Sequence, residues 1–159
     1  MMSYKSTQEV LDAVQGQVEK TLGDAVDVVV QFHGNANQAI ANHFSQGSGT
    51  NLSAVAFVAM SSGDSQAISA AGIPVYINET IDVTVITRGR RGDYKEAAAR
   101  LVEIADALTF DLFEQDYKHQ DVKDCIAAHS FVGRRIITAT DPNIMACTVT
   151  WNIRPMRAS

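Results

Sequence analysis

Charge and chain-breaking residues are scarce in this sequence. Asp, Glu, Lys and Arg make up 19% of the 159 residues, a little under the usual quarter. A low charged share leaves more surface suited to protein contacts. Cysteine occurs twice, at Cys125 and Cys147. Two isolated thiols do not make a disulfide framework and give no mark of secretion. There is no internal repeat and no low-complexity tract, so repeat and fibrous architectures drop out. No apolar run approaches the ~20 residues that a helix needs to span a bilayer. Residues 1–20 are polar and amphipathic, unlike the apolar centre of a signal peptide. We therefore expect a reduced intracellular setting and no membrane contact. A basic excess is missing too, since 13 Lys and Arg face 18 Asp and Glu, a net charge of -5. Duplex binding rests on many Lys and Arg contacts to phosphate, so nucleic acid is not expected to engage the surface as a whole.

What is present suits one globular domain, taken as residues 1–159. The hydrophobic share is 46%, and a chain of this length buries roughly 70% of its unfolded surface without staples.

The apolar spacing divides the chain. Ser6-Thr7-Gln8-Glu9 reads as a capping box, and Val10, Leu11, Val14, Val18 and Leu22 follow as one helical stripe, with Gly23 as its stop. Residues 27–33, rich in Val, predict a strand. Residues 34–50 are small and polar and read as a long surface excursion, with a short helix possible over 38–44. An apolar run over 54–60 predicts a buried strand, ended by the turn residues Ser61-Ser62-Gly63-Asp64-Ser65. Over residues 75–87, Val75, Ile77, Ile81, Val83 and Val85 alternate with Tyr76, Asn78, Thr80, Asp82 and Thr84, as a sheet with one solvated face requires. Glu79 interrupts the apolar side there and predicts a bulge.

Asp93 is placed to cap a second helix. Its apolar face comprises Ala97, Ala98, Leu101, Val102, Ile104, Ala105 and Leu108, and Phe110, Leu112 and Phe113 extend it. Residues 116–124 read as charged and exposed. A strand over 136–140, a turn at Asp141-Pro142-Asn143 and an alternating strand from Met145 to Ile153 close the chain as a hairpin. The order α-β-β-β-α-β-β predicts an α+β fold: a mainly antiparallel sheet with two amphipathic helices packed on one face.

Few residues promise chemistry. His33 and His43 lack the further Cys or His that a zinc site needs, so surface or partly buried histidines are the simpler reading. Cys125 and His129, four apart near Asp121 and Asp124, would form a nucleophile pair if they shared a helical face, but no orienting third group is identifiable. Asp111, Glu114, Asp116 and Asp121 do not match a calcium loop and read as a solvated face. Gly47-Ser48-Gly49-Thr50 lacks the Lys of a phosphate-binding loop. We expect no catalytic residue, no metal site and no cofactor.

The one dense basic cluster is Arg88-Gly89-Arg90-Arg91-Gly92. Arg88, Arg90 and Arg91 form a candidate partner-contact turn, because the guanidinium fork pairs bidentately with carboxylate or phosphate. Arg134 and Arg135 are placed to extend it. A plain solvated helix-entry turn is the alternative.

One stretch carries a resemblance. The strand Pro-Val-Tyr-Ile-Asn-Glu-Thr-Ile-Asp-Val-Thr-Val-Ile-Thr-Arg from Pro74 leads to an Ala-rich helix, a charged link and a final hairpin ending Thr-Val-Thr-Trp-Asn-Ile-Arg-Pro. Preceded by an amphipathic helix and further strands, this order resembles the tail-terminator (tail-completion) proteins of long-tailed bacteriophages, including those of Mu-like prophages. It covers most of the chain in element order and length, without a signature motif. The resemblance implies an antiparallel sheet with two helices and a hexameric ring that caps the tail tube and stops its polymerisation. It also implies a surface for head attachment, and no enzyme activity or cofactor. The implied partners are further copies of the chain, the tail tube protein and a head-completion or neck protein, with DNA only passing through the lumen. The implied setting is the host cytoplasm during assembly and then the virion tail. Another head–tail joining, neck or minor tail subunit is the nearest alternative. A small bacterial enzyme or ligand-binding domain, with Cys125, His129, Asp121 and His33 as its test residues, is the alternative of a different class.

Overall fold

A computed structural model describes residues 3–4, 6–31, 53–68, 70–72, 74–89, 94–113, 125–138, 144–155 and 157–158. Its first helix, α1 (Thr7–Leu22), starts where the capping box predicts. The Glu9 amide donates to Ser6 Oγ at 3.1 Å, and the Ser6 amide donates to the Glu9 carboxylate at 2.7 Å. Two of the amides that a helix start leaves without partners are thereby satisfied. All five residues of the predicted stripe are buried. The helix ends at Gly23, whose φ of 51° and ψ of -126° let its amide reach the Glu19 carbonyl. Residues with a Cβ rarely adopt that backbone.

Strands β2 (Val28–Gln31), β3 (Ser53–Ile68), β4 (Pro74–Arg88), β5 (Ile126–Thr138) and β6 (Ile144–Pro155) form one sheet in the order β2-β3-β4-β6-β5. Two further short strands, β1 (Ser3–Tyr4) and β7 (Arg157–Ala158), pair antiparallel as a separate ribbon. The second helix, α2 (Tyr94–Asp106), continues into a π turn over Ala107–Asp111. The α+β class holds, and among the described residues the helices and the main sheet follow the expected order, with β1 and β7 added at the two ends. Both helices share one core with alternate residues of the sheet: Ala54, Ala56 and Val58 of β3, Ile81, Val83 and Val85 of β4, and Val149, Trp151 and Ile153 of β6. At one end the opposite face is buried as well, around Val55, Phe57, Ile86 and Ala146. Burial on both faces explains the unbroken apolar run at 54–60, which shows no alternation.

Several boundaries differ from the sequence-based expectation. β2 and β3 are parallel. Parallel neighbours need a crossover of a dozen residues or more, and the separation between Gln31 and Ser53 supplies that length. β3 does not stop at Ser61–Ser65. It runs on to Ile68, paired with β4 throughout, and the tight turn falls at Gly72, with φ 79°. The irregularity expected at Glu79 lies across the ladder instead, between Met60 and Ser62 of β3. Glu79 keeps its register opposite Gly63 and Ile153 and is 9% exposed.

β5 begins ten residues before the predicted position 136. Register shifts between Ile126 and Ala128 and between Phe131 and Gly133 break its period of two, which hides a strand from pattern reading. Val102, assigned to the buried face of α2, is exposed. It lies one residue, or about 100° of helix, beyond Leu101 in the buried stripe. Phe110 is also exposed, because the wider π turn shifts the phase and hands the buried positions to Leu112 and Phe113.

Other expectations fall outside the described residues. These are the 34–50 excursion with its 38–44 helix and Gly-rich end, His33, His43, Arg90, Arg91, Asp93, Glu114, the 116–124 link with Asp116, Asp121 and Asp124, and the turn at 141–143.

Candidate functional site

The most distinctive surface is the outer edge of β5. Among the described residues this strand of 13 residues pairs only with β6. An edge strand presents a row of unpaired amides and carbonyls, and proteins usually blunt such an edge with charge, brevity or cover. β5 is long, and it carries apolar side chains outward: Phe131 is 44% exposed, Val132 55% and Ile136 65%. The bulge between Phe131 and Gly133 turns Val132 out of the ladder.

The helix side of the same edge is built around Trp151 of β6. Its indole Nε1 donates to the Leu108 carbonyl in the π turn at 3.1 Å. Phe131 meets the indole edge-on at 5.5 Å and Phe113 does so at 4.9 Å. Trp151 thus fastens the π turn over β5, and that turn carries Phe110, 71% exposed. Arg134 of β5 completes the fastening through Asp106, Nη1 to Oδ1 at 2.6 Å. This hydrogen bond pushes the Arg134 pKa further above its already high ordinary value. Phe131, Val132 and Ile136 therefore share the β5 edge, and Phe110 is exposed on the π turn that Trp151 and Arg134 tie to the sheet. Exposed apolar groups gathered beside an open strand mark an association surface.

The residues weighed for catalysis occupy other settings. Ile126–Thr138 is strand, so Cys125 and His129 do not share the helical face that a nucleophile pair would have needed. The His129 ring stacks on Phe113 at 4.8 Å and meets Trp151 edge-on at 5.7 Å. Burial there pushes its pKa below the usual 6.5. Cys125 is buried in the main core, and Cys147 joins it there with a thiol pushed up in pKa by burial. His129 also borders a shallow recess of about 160 Å³ with Asn78, Ser130, Asn152 and Arg154. A second recess of about 400 Å³ lies beside Glu96, Arg100 and Glu103, and there Arg100 is already committed to the Ala25 carbonyl at 2.8 Å and 3.2 Å.

On the helix-free face, β4 and β6 form a polar ladder. Thr84 and Thr148 hydroxyls lie 2.9 Å apart, Thr80 donates to Asn152 at 3.0 Å, and Thr150 donates to Asp82 at 2.7 Å. These groups are satisfied across the strands.

Of the basic turn, Arg88 ends β4, opposite Ser53 and Ile144. Arg134 and Arg135 lie on β5 opposite Val149 and Thr148, on opposite faces of the sheet. Only Arg135 shares the helix-free face with Arg88, by the alternation of the ladder. Sequence reasoning missed the β5 margin. The signal available was the short apolar and basic run Phe131 to Ile137, whose facing depends on a bulge that composition does not reveal.

No protein-family model matches the chain, and no curated protein matches it. Among solved structures, a chain of the "Virion of native gene transfer agent (GTA) particle" is similar, with 15% sequence identity and a TM-score of 0.43, covering 96% of this chain and 98% of that chain. So slight a likeness carries no weight for function, and the chain's own surface has to supply it.

Proposed function

We propose that the chain is a non-enzymatic structural subunit of a phage-like particle, acting by joining copies of itself and other subunits. The observation that carries this reading is the exposed apolar strip of Phe131, Val132 and Ile136 on a β5 edge that has no strand partner among the described residues. The more specific role is tail termination: a ring, taken as a hexamer, that caps the tail tube, ends its polymerisation and offers a head-attachment surface. That role follows from the resemblance in element order, and it is supported by the two helices and the five strands of the main sheet, which among the described residues run α-β-β-β-α-β-β between the short strands β1 and β7. A ring of identical subunits needs one patch that meets a different patch on the next copy. The Arg88, Arg90 and Arg91 turn is assigned to the contact with tube or neck subunits. On this reading the whole chain is one domain, assembled in the host cytoplasm and carried in the virion tail.

The test is functional. Purified protein is added to polymerising tail-tube subunits, and tube lengths are measured by negative-stain microscopy. Shorter tubes ending in a six-fold ring are expected. Unchanged lengths with bare ends would overturn the terminator role.

A further inference from the structure

The register of the sheet leaves a second unusual feature. β6 accompanies β4 only from Glu79 to Arg88, and β2 accompanies β3 only from Val55 to Val58. β3 and β4 nevertheless stay paired out to Ile68 and Pro74. Among the described residues the hairpin therefore runs on as a two-stranded arm past its last partners in β2 and β6. Five residues of β4, Pro74 to Asn78, lie past the last β6 partner, a length of about 17 Å. An isolated two-stranded ribbon is marginally stable in water and gains from a third strand or an apolar support.

We infer that this arm docks against the β5 margin of a second copy of the chain. The inference rests on the assembly reading above and names the contact that assembly would use. Three observations select the occupant. First, the strand order places β6 between β4 and β5, so an arm continuing β3 and β4 cannot lie along β5 of its own subunit. Second, charges match: positions 61–78 before Glu79 hold Asp64 as their one charged residue, whereas β5 holds no acid and carries Arg135 beyond the Arg134–Asp106 pair. Third, the two surfaces have complementary needs. Among the described residues the arm has backbone edges without sheet partners, and β5 has an open edge flanked by Phe131, Val132 and Ile136. Neither arm edge is clean, since Pro74 lacks a donor and β3 carries register shifts at Ser65 and Ala67. The contact therefore combines a few backbone bonds with burial of the apolar strip. Arm and β5 are different patches, so the contact is head-to-tail, the kind that closes rings.

Complementation tests this directly. One variant replaces residues 64–78 by Asn-Gly, a two-residue turn that shortens the arm. The other carries Val132→Lys and Ile136→Lys, two exposed substitutions that charge the edge. Native mass spectrometry reads the wild type, each variant and their mixture, and circular dichroism melting checks that each variant folds. The wild type is expected to associate. Each variant alone is expected to be monomeric, with an apparent dissociation constant raised at least about tenfold. The mixture is expected to give a one-to-one heterodimer and nothing larger, because one intact arm meets one intact edge. Association of the shortened-arm variant at wild-type strength would overturn the inference while leaving the assembly reading intact. So would a mixture of folded variants that forms no heterodimer. A wild type that never associates would overturn both. If the shortened variant does not fold, Asp64→Lys with Ile77→Lys keeps the arm and is expected to weaken association in the same way. Unchanged association there would count against the arm.

Discussion

The side-chain amide of Gln17 in α1 donates to the main-chain carbonyl of Leu112 at 2.6 Å, with both residues fully buried. Leu112 directly follows the π turn, and a buried carbonyl needs a hydrogen-bond partner. A glutamine in an otherwise apolar stripe supplies it and joins the two helices. Gln17→Leu keeps most of the side-chain volume and removes that bond. Chemical denaturation is expected to show a loss of roughly 1–3 kcal/mol. A stability unchanged from wild type would show that water or another donor satisfies Leu112.

Glu79 sits on the helix side of β4 and accepts a long hydrogen bond of 3.5 Å from the Thr7 hydroxyl. Burial raises its pKa above the ordinary 4.5, and the Thr7 bond opposes that only in part. The folded chain therefore takes up this proton at a higher pH than the unfolded chain. The carboxylate is a liability at neutral pH, and stability from this site rises as pH falls from the raised value toward 4.5. Glu79→Gln should raise the melting temperature at pH 7 and flatten that rise. A lower melting temperature in that variant at neutral pH would mean that the charge is stabilised in the fold.

His129 has the opposite sign. Packed on Phe113 and Trp151, it is held neutral, with its pKa below 6.5. Unfolded chains protonate first, so stability is lost as pH falls through 6.5 toward the depressed folded value. His129→Phe keeps an aromatic ring in the stack and is expected to remove that loss. A melting temperature that falls with acid identically in both proteins would place the titrating group elsewhere.

A methyl group added at Gly23 would meet open space, with no atom within 4 Å, so a clash does not explain the glycine. Its positive φ does. Gly23→Ala should cost roughly 1–3 kcal/mol of unfolding free energy from backbone strain. A cost near zero would mean that the chain relaxes at this helix end.

Much of the fold is legible in the sequence because its signals are local. The Ser6 and Glu9 box, the Val10 to Leu22 stripe and the alternation of β4 and β6 each follow from a few neighbouring residues. The association margin is far less legible. Phe131 and Ile136 belong to a strand whose period is broken by bulges, and Phe110 points outward because a π turn changes the helical phase. The projecting arm hides because Ser61 to Ser65 has the composition of a turn. Those residues extend through pairing with β4, a relationship set by register between distant segments. Composition near Glu79 suggests a defect, whereas the ladder keeps Glu79 in line and shifts its partner strand.

The most direct measurement is the mass of the wild-type chain by light scattering over a concentration series, with Val132→Lys/Ile136→Lys beside it. The account predicts a mass that climbs from 17.2 kDa for one chain to multiples of it, and a variant that stays at one chain throughout. A wild type that holds the single-chain mass at every concentration, or a variant that assembles equally well, would contradict it.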